Sequence, residues 1–191
     1  MMHQSNRTFA LHHSRGWWLW LLAAAAMCLV TARRAAGDDR GVENQVRSAF
    51  IVNFVQFIDW PEGTFAKADD PMVVGIVDGD GMAQALQAAI EGKTIKGHKL
   101  VFRQMTAENP KGCQVLFVGS GAGDVSAIIK AAGGGPVLTI GEGDGFIDAG
   151  GVIGFYIEDR KERFEISTAA ADRAKLQVSS KLLKLAKVVN K

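Results

Sequence analysis

Between Gly41 and Asp59 the apolar residues recur at helical spacing. Val42, Val46, Phe50, Phe54 and Phe57 follow steps of four and three, and Ile51, Val55 and Ile58 form a second stripe. A helix that is apolar over most of its girth is buried on more than one side. The three phenylalanines are therefore expected in the core. Asn53, set among them, is expected as a buried amide held by a backbone partner. Trp60-Pro61 ends the helix, because the residue before a proline avoids the helical region.

The pattern then changes to short apolar runs. MVVGIV at 72–77 is continuous, which suits a strand covered on both faces. Asp78-Gly79-Asp80-Gly81 turns the chain into a helix over about 82–91, which Gly92 stops. Further strands are predicted at 99–105, 114–118 and 137–140. A helix at about 124–132, with Asp124 as its cap, ends in Gly133-Gly134-Gly135-Pro136.

The final forty residues close the domain. GVIGFYIE and ERFEIS flank the charged turn DRK and read as an antiparallel hairpin. A short helix follows at about 168–174. A last helix starts at Ser179 or Ser180, with Leu182, Leu185, Ala186 and Val189 on one face and Lys181, Lys184, Lys187 and Lys191 on the other. The element order αβαββαβββαα predicts an α/β fold of three layers, α/β/α. Its mixed central sheet has about six strands, the first four mainly parallel, closed by the hairpin and a C-terminal amphipathic helix.

The N-terminus stands outside this pattern. Residues 1–16 are polar with Arg7 and Arg15, residues 17–30 are unbroken apolar, and Ala32, Ala35, Ala36 and Gly37 follow. This is the order of a secretory signal peptide, and the apolar run is shorter than the ~20 residues of a membrane span. Cleavage after Gly37 is preferred to cleavage after Ala32, with an uncleaved anchor as the alternative. Residues 38–191 then form a single exported domain. Removal takes four arginines and no acid, so a net charge of +2 becomes −2 and no basic patch for nucleic acid remains.

The same removal leaves one histidine, His98, and one cysteine, Cys113. That excludes an internal disulfide and a zinc cluster of the usual His/Cys kind. Cys113 opens an apolar strand and is expected as a buried, inert thiol. No serine lies in a nucleophile-elbow pattern, so a hydrolase would rest on His98 alone. Gly119-Ser120-Gly121-Ala122-Gly123 sits where phosphate loops sit, but it has no lysine and an aspartate follows it. Asp78, Asp80, Ser120, Glu142 and Asp144 fall beyond the C-terminal ends of predicted strands, where open α/β sheets place ligands. They define a candidate small-ligand cleft, although Met82 stands where an EF-hand loop needs an acid or amide. Lys181, Lys184 and Lys187 define a candidate partner surface. No cofactor is implied.

Several segments together resemble the YfiR family of bacterial periplasmic proteins. They are SAFIVNFVQFIDWP at 48–61, GKTIKGHKLVFRQM at 92–105, GCQVLFVG at 112–119, GFIDAGGVIGFYIEDRKERFEIS at 145–167 and LQVSSKLLKLAKVV at 176–189. The resemblance implies a non-catalytic inhibitor that binds the periplasmic domain of a membrane diguanylate cyclase and restrains cyclic-di-GMP synthesis. It also implies an outer-membrane OmpA-like lipoprotein as a sequestering partner, and homodimers. Family inhibitors can carry stabilising disulfides, which Cys113 alone cannot form. A periplasmic small-molecule sensor is the alternative function. Export makes the first prediction: N-terminal sequencing of the periplasmic protein should read Asp38 first, and an intact Met1 would refute cleavage.

Overall fold

The computed structural model describes residues 40–79, 81–133 and 135–190; the predicted signal peptide lies outside them. Gly41–Lys191 form one compact unit, which carries the α/β domain. Helix α1 covers residues 40–56. The remaining elements are β1 (Ile58–Asp59), β2 (Met72–Val77), α2 (Met82–Ile90), β3 (Thr94–Ile95), β4 (His98–Gln104), β5 (Val115–Val118), α3 (Val125–Ala132), β6 (Leu138–Glu142), β7 (Ile153–Glu158), β8 (Lys161–Ser167), α4 (Thr168–Arg173), β9 (Gln177–Val178), α5 (Ser180–Leu183) and β10 (Lys187–Val189).

Eight strands form one mixed sheet in the order β10-β8-β7-β6-β5-β2-β4-β3, and β1 and β9 form a small antiparallel pair. Strands β4, β2, β5, β6 and β7 run parallel. Strand β8 returns antiparallel to β7 through the two residues Asp159 and Arg160, both with positive φ, the geometry of a tight hairpin turn. The apolar runs alternate between two cores. Met72, Val74 and Ile76 of β2 and Val115 and Phe117 of β5 join the side chains of α1, α2, α4 and α5. Val73, Val77, Leu116 and Val118 face α3 and the loop residues Phe146 and Ile147. The sheet is thus covered on both faces, which is why these strands read as continuous hydrophobic runs. One glycine of β6 and one of the β6–β7 connection serve the second core. A β-carbon at either Gly141 or Gly151 would overlap the ring of Phe146.

Aromatic packing joins α1 to the β7–β8 side of the sheet. Phe50 and Phe54 of α1 meet Phe155 of β7 and Phe164 of β8 at centroid separations of 4.7 to 6.2 Å. Phe54 is buried and Phe50 and Phe57 are half-buried against the same core. The outer arc of α1 departs from the expected stripe. Val42 and Val46 are 57% and 41% exposed, and Asn53 is exposed rather than buried. Residues 42, 46, 49 and 53 share that arc, and the first turns of α1 stand beside charged side chains at the sheet's end, not over apolar strand.

The C-terminus also differs from the expected amphipathic helix. Helix α5 is a single turn, and only Leu182 of the expected apolar face is deeply buried. The chain then extends as β10 and pairs in parallel with β8, Lys187 beside Glu165 and Val188 beside Ile166. The exposed edge of β8 offered backbone partners, and β-branched Val188 and Val189 suit a strand better than a helix. This edge strand, together with the short β3, accounts for eight strands where about six were expected.

Truncation of Phe54 removes the centre of the aromatic cluster. Phe54→Ala should lower unfolding free energy by ~3–5 kcal/mol, measured as a reduced urea midpoint. An unchanged midpoint and slope would remove Phe54 from the core.

Candidate functional site

The reversal of strand order falls between β2 and β5, because the chain leaves β2 toward β4 on one side and β5 enters on the other. Ligands of open α/β sheets bind at such points. Here the crevice is filled by its own loops. Gly119 leaves β5 so close to Asp78 that a β-carbon would overlap the Asp78 carbonyl oxygen, and one on Gly121 would crowd the Asp78 carboxylate. Glu142, at the end of β6, accepts a hydrogen bond from the Ser120 N–H at 3.1 Å through Oε1. Its Oε2 accepts from Arg47 Nη1 at 2.6 Å. Arg47 also places Nε 3.1 Å from Glu162 Oε1 on β8. The structure thus brings Asp78, Ser120 and Glu142 together. Asp144 stands exposed in the following turn, and Asp80 lies outside the described residues.

Arg47 and Glu162 carry this arrangement and are not legible from spacing. Arg47 and Glu142 are 95 residues apart in the chain. All three charged side chains are mostly buried. Burial acts to lower the Arg47 pKa, but the ion pair with Glu162 and the charges of Glu142 and Glu43 outweigh it and raise it. The guanidinium therefore stays charged at any physiological pH and can serve two carboxylates through its planar fork. Among the described residues no cluster of His, Cys, Asp and Glu is arranged to hold a metal ion.

The second candidate surface lies at the C-terminus. Ser179 caps α5 by accepting from the Lys181 N–H at 3.3 Å. Lys181, Lys184 and Lys187 are all exposed. Lys187 binds Glu165 at 3.1 Å and lies 5.3 Å above the ring of Tyr156. Its hydrogen bond to Glu165 raises its pKa. Lys181 and Lys184 project from the turn of α5.

The two reactive residues have structural partners. His98 stacks on Phe65 at 3.7 Å between centroids, and its Nδ1 lies 2.7 Å from the Asp70 carbonyl oxygen. It lines a cleft of about 350 Å³ with Trp60, Phe65, Met72 and Lys96, and no serine or cysteine is among the lining residues. The ring clamps the 60–71 loop to β4. Cys113 is buried as expected, and burial pushes its thiol pKa up to about 11. At neutral pH it is a protonated, weak nucleophile.

Fold and side chains together define an α/β domain whose buried charges tie its own elements. The sequence pattern of the YfiR/HmsC-like family matches residues 44–187, and the chain belongs to that family. Among solved structures, a conserved domain protein from Vibrio cholerae O1 biovar El Tor str. N16961 is similar at 14% identity, with a TM-score of 0.47. The match covers 61% of this chain and 54% of that one, so the chain spans about half the length of this relative. No protein of curated function matches. Among the described residues no helix is long and apolar enough to cross a membrane.

The Arg47 fork gives a direct test of the strand-end geometry. Arg47→Ala leaves two facing carboxylates without their cation and should cost about 3 kcal/mol of stability. Arg47→Lys should recover only part of it, because an ammonium cannot reproduce the fork. Urea denaturation of the three proteins measures both effects, and an Arg47→Ala midpoint equal to the parent's would show that the ion pairs do not hold α1 in place.

Proposed function

We propose that this protein is a non-catalytic periplasmic regulator that docks on the periplasmic domain of an inner-membrane diguanylate cyclase and holds cyclic-di-GMP synthesis down. Membership of the YfiR/HmsC-like family over residues 44–187 carries this reading. Export by residues 1–37, removed at Gly37, delivers residues 38–191 as a single domain to the compartment where such a partner is exposed. An outer-membrane OmpA-like lipoprotein that withdraws the regulator, and a homodimeric form, belong to the same reading. Lys181, Lys184 and Lys187 are assigned to the contact surface of the C-terminal turn.

Inhibition of this kind needs no reaction chemistry. A regulator that prefers one of two receptor states by a few kcal/mol shifts their populations by about a hundredfold or more. A small-molecule sensor built on Asp78, Asp80, Ser120, Glu142 and Asp144 has less support. The Glu142 carboxylate is already engaged by Ser120 and Arg47, and the loops after β2 and β5 pack on each other. A hydrolase centred on His98 lacks a neighbouring serine or cysteine in its cleft.

Deletion of the gene should raise cellular cyclic-di-GMP, and expression of the parent or of His98→Ala should lower it again. Unchanged cyclic-di-GMP after deletion would reject the cyclase role. Failure of a stably folded His98→Ala protein to complement would return the enzyme reading to consideration.

A further inference from the structure

Strand β4 is seven residues long, but its outer side is covered only at its beginning. β3 is the last strand of the sheet on that side. It pairs with β4 through Thr94 beside Lys99 and Ile95 beside His98. The Leu100 N–H still reaches the Lys93 carbonyl at 2.9 Å, and there the cover ends. Peptide groups point alternately to the two sides of a strand. The Met105 N–H donates to the Ile76 carbonyl of β2, so Val101 and Arg103 face β2 and Phe102 and Gln104 face outward. The outward N–H and C=O groups of Phe102 and Gln104 have no strand beside them among the described residues. Next to this open stretch lies a groove of about 490 Å³ between α2 and β4. Ile90, Leu100 and the half-buried Phe102 line it, with Gln87 and Glu91.

A row of outward N–H and C=O groups is completed by an extended backbone, as in recognition by strand addition. The side chains of the edge select which backbone. Lys99, Val101 and Arg103 share one face of β4, and Leu100, Phe102 and Gln104 share the other. Lys99 and Arg103 are exposed, and neither has an ion pair among the described residues. Arg103 donates through Nη1 to the Gly112 carbonyl at 3.1 Å. The same edge of a second copy would set these cations against their like, which is unfavourable across strands. An antiparallel strand in line with β3 places its residue opposite Phe102 on the side of the groove, where Ile90 and Leu100 join the core. Its flanking residues fall on the cationic face, one opposite Arg103 and one diagonal to Lys99. We propose that the open edge of β4 docks an extended segment of a partner protein in which acidic and apolar residues alternate. One apolar side chain enters the groove beside Ile90 and Phe102, and the acids pair with Arg103 and Lys99. This contact goes beyond the cyclase reading and does not rest on it. The lysines assigned to that reading stand on the C-terminal turn and β10, and β10 is at the opposite end of the strand order.

The probe is a blocked heptapeptide of alternating glutamate and valine, added to protein recovered from the periplasm. A heptapeptide of alternating lysine and valine is the control. The acidic peptide should bind and the basic one should not. Amide hydrogen exchange read by NMR should slow at Phe102 and Gln104 on binding, while Val101 and Arg103, whose N–H groups already face β2, keep their rates. Lys99→Glu with Arg103→Glu should weaken binding roughly tenfold or more, since two cross-strand charge contacts are reversed. Gln104→Pro removes one outward donor at a position where an edge strand tolerates proline, and should weaken binding several-fold. Unchanged tryptophan fluorescence and thermal midpoints establish that the variants are folded, and the exchange pattern of the parent decides the question even where a variant is not. Absence of binding, equal binding of the basic peptide, or binding that leaves exchange at Phe102 and Gln104 unchanged would overturn the proposal. A dimer of the parent that Gln104→Pro dissolves would overturn it too, for a second copy would then occupy the edge.

Discussion

The packing of α1 across the β7–β8 hairpin is the contact on which the domain depends. Phe50 and Phe54 enter from the beginning of the domain, and Phe155 and Phe164 come from near its end. Neither element can bury its apolar side alone. The helix is covered only once the sheet has been assembled out to β8, and the hairpin has one face without a cover until the helix arrives. Folding of this domain is therefore governed by a contact between residues about a hundred positions apart, with the loop-closure entropy that such separation carries.

Once α1 lies on that face, its first turns fall beside the C-terminal ends of the parallel strands. Arg47 then answers two requirements together. It neutralises Glu142 and Glu162, and Glu142 in turn fixes the loop after β5 through the Ser120 N–H. The region that in many α/β proteins receives a ligand is occupied here by backbone and by this ion-paired group. The polar residues of the strand ends thus serve cohesion of the domain, and the groups left free for contact with other molecules are elsewhere.

The exposed groups of the C-terminal turn are among them. The chain does not end in a long helix folded onto the sheet. It makes one turn and joins the sheet edge beside β8, which leaves Leu185 and Val188 in solvent at 74% and 51% exposure. Edge strands are commonly shielded by short length and by lysine, and β10 has both in Lys187 and its three residues.

Much of the architecture was legible in the sequence. The continuous apolar runs of β2 and β5 identified strands covered on both faces, and the charged DRK turn marked the hairpin, whereas α1 stops at residue 56 and Ile58–Asp59 pair with β9 before Trp60-Pro61 is reached. These are local signals, because backbone geometry and side-chain alternation are set within a few residues. The burial of Cys113 was visible too. The sequence alone did not decide whether residues 184–189 continue as helix or leave as a strand. Their apolar spacing fits a helix, and the choice fell to the open edge of β8. Nor did it reveal Arg47, whose partners lie 95 and more residues away and meet it only when α1 crosses the sheet. Val42, Val46 and Asn53 follow the same rule: periodicity shows which residues share a face, and only the packed neighbours decide how far along the helix that face is covered.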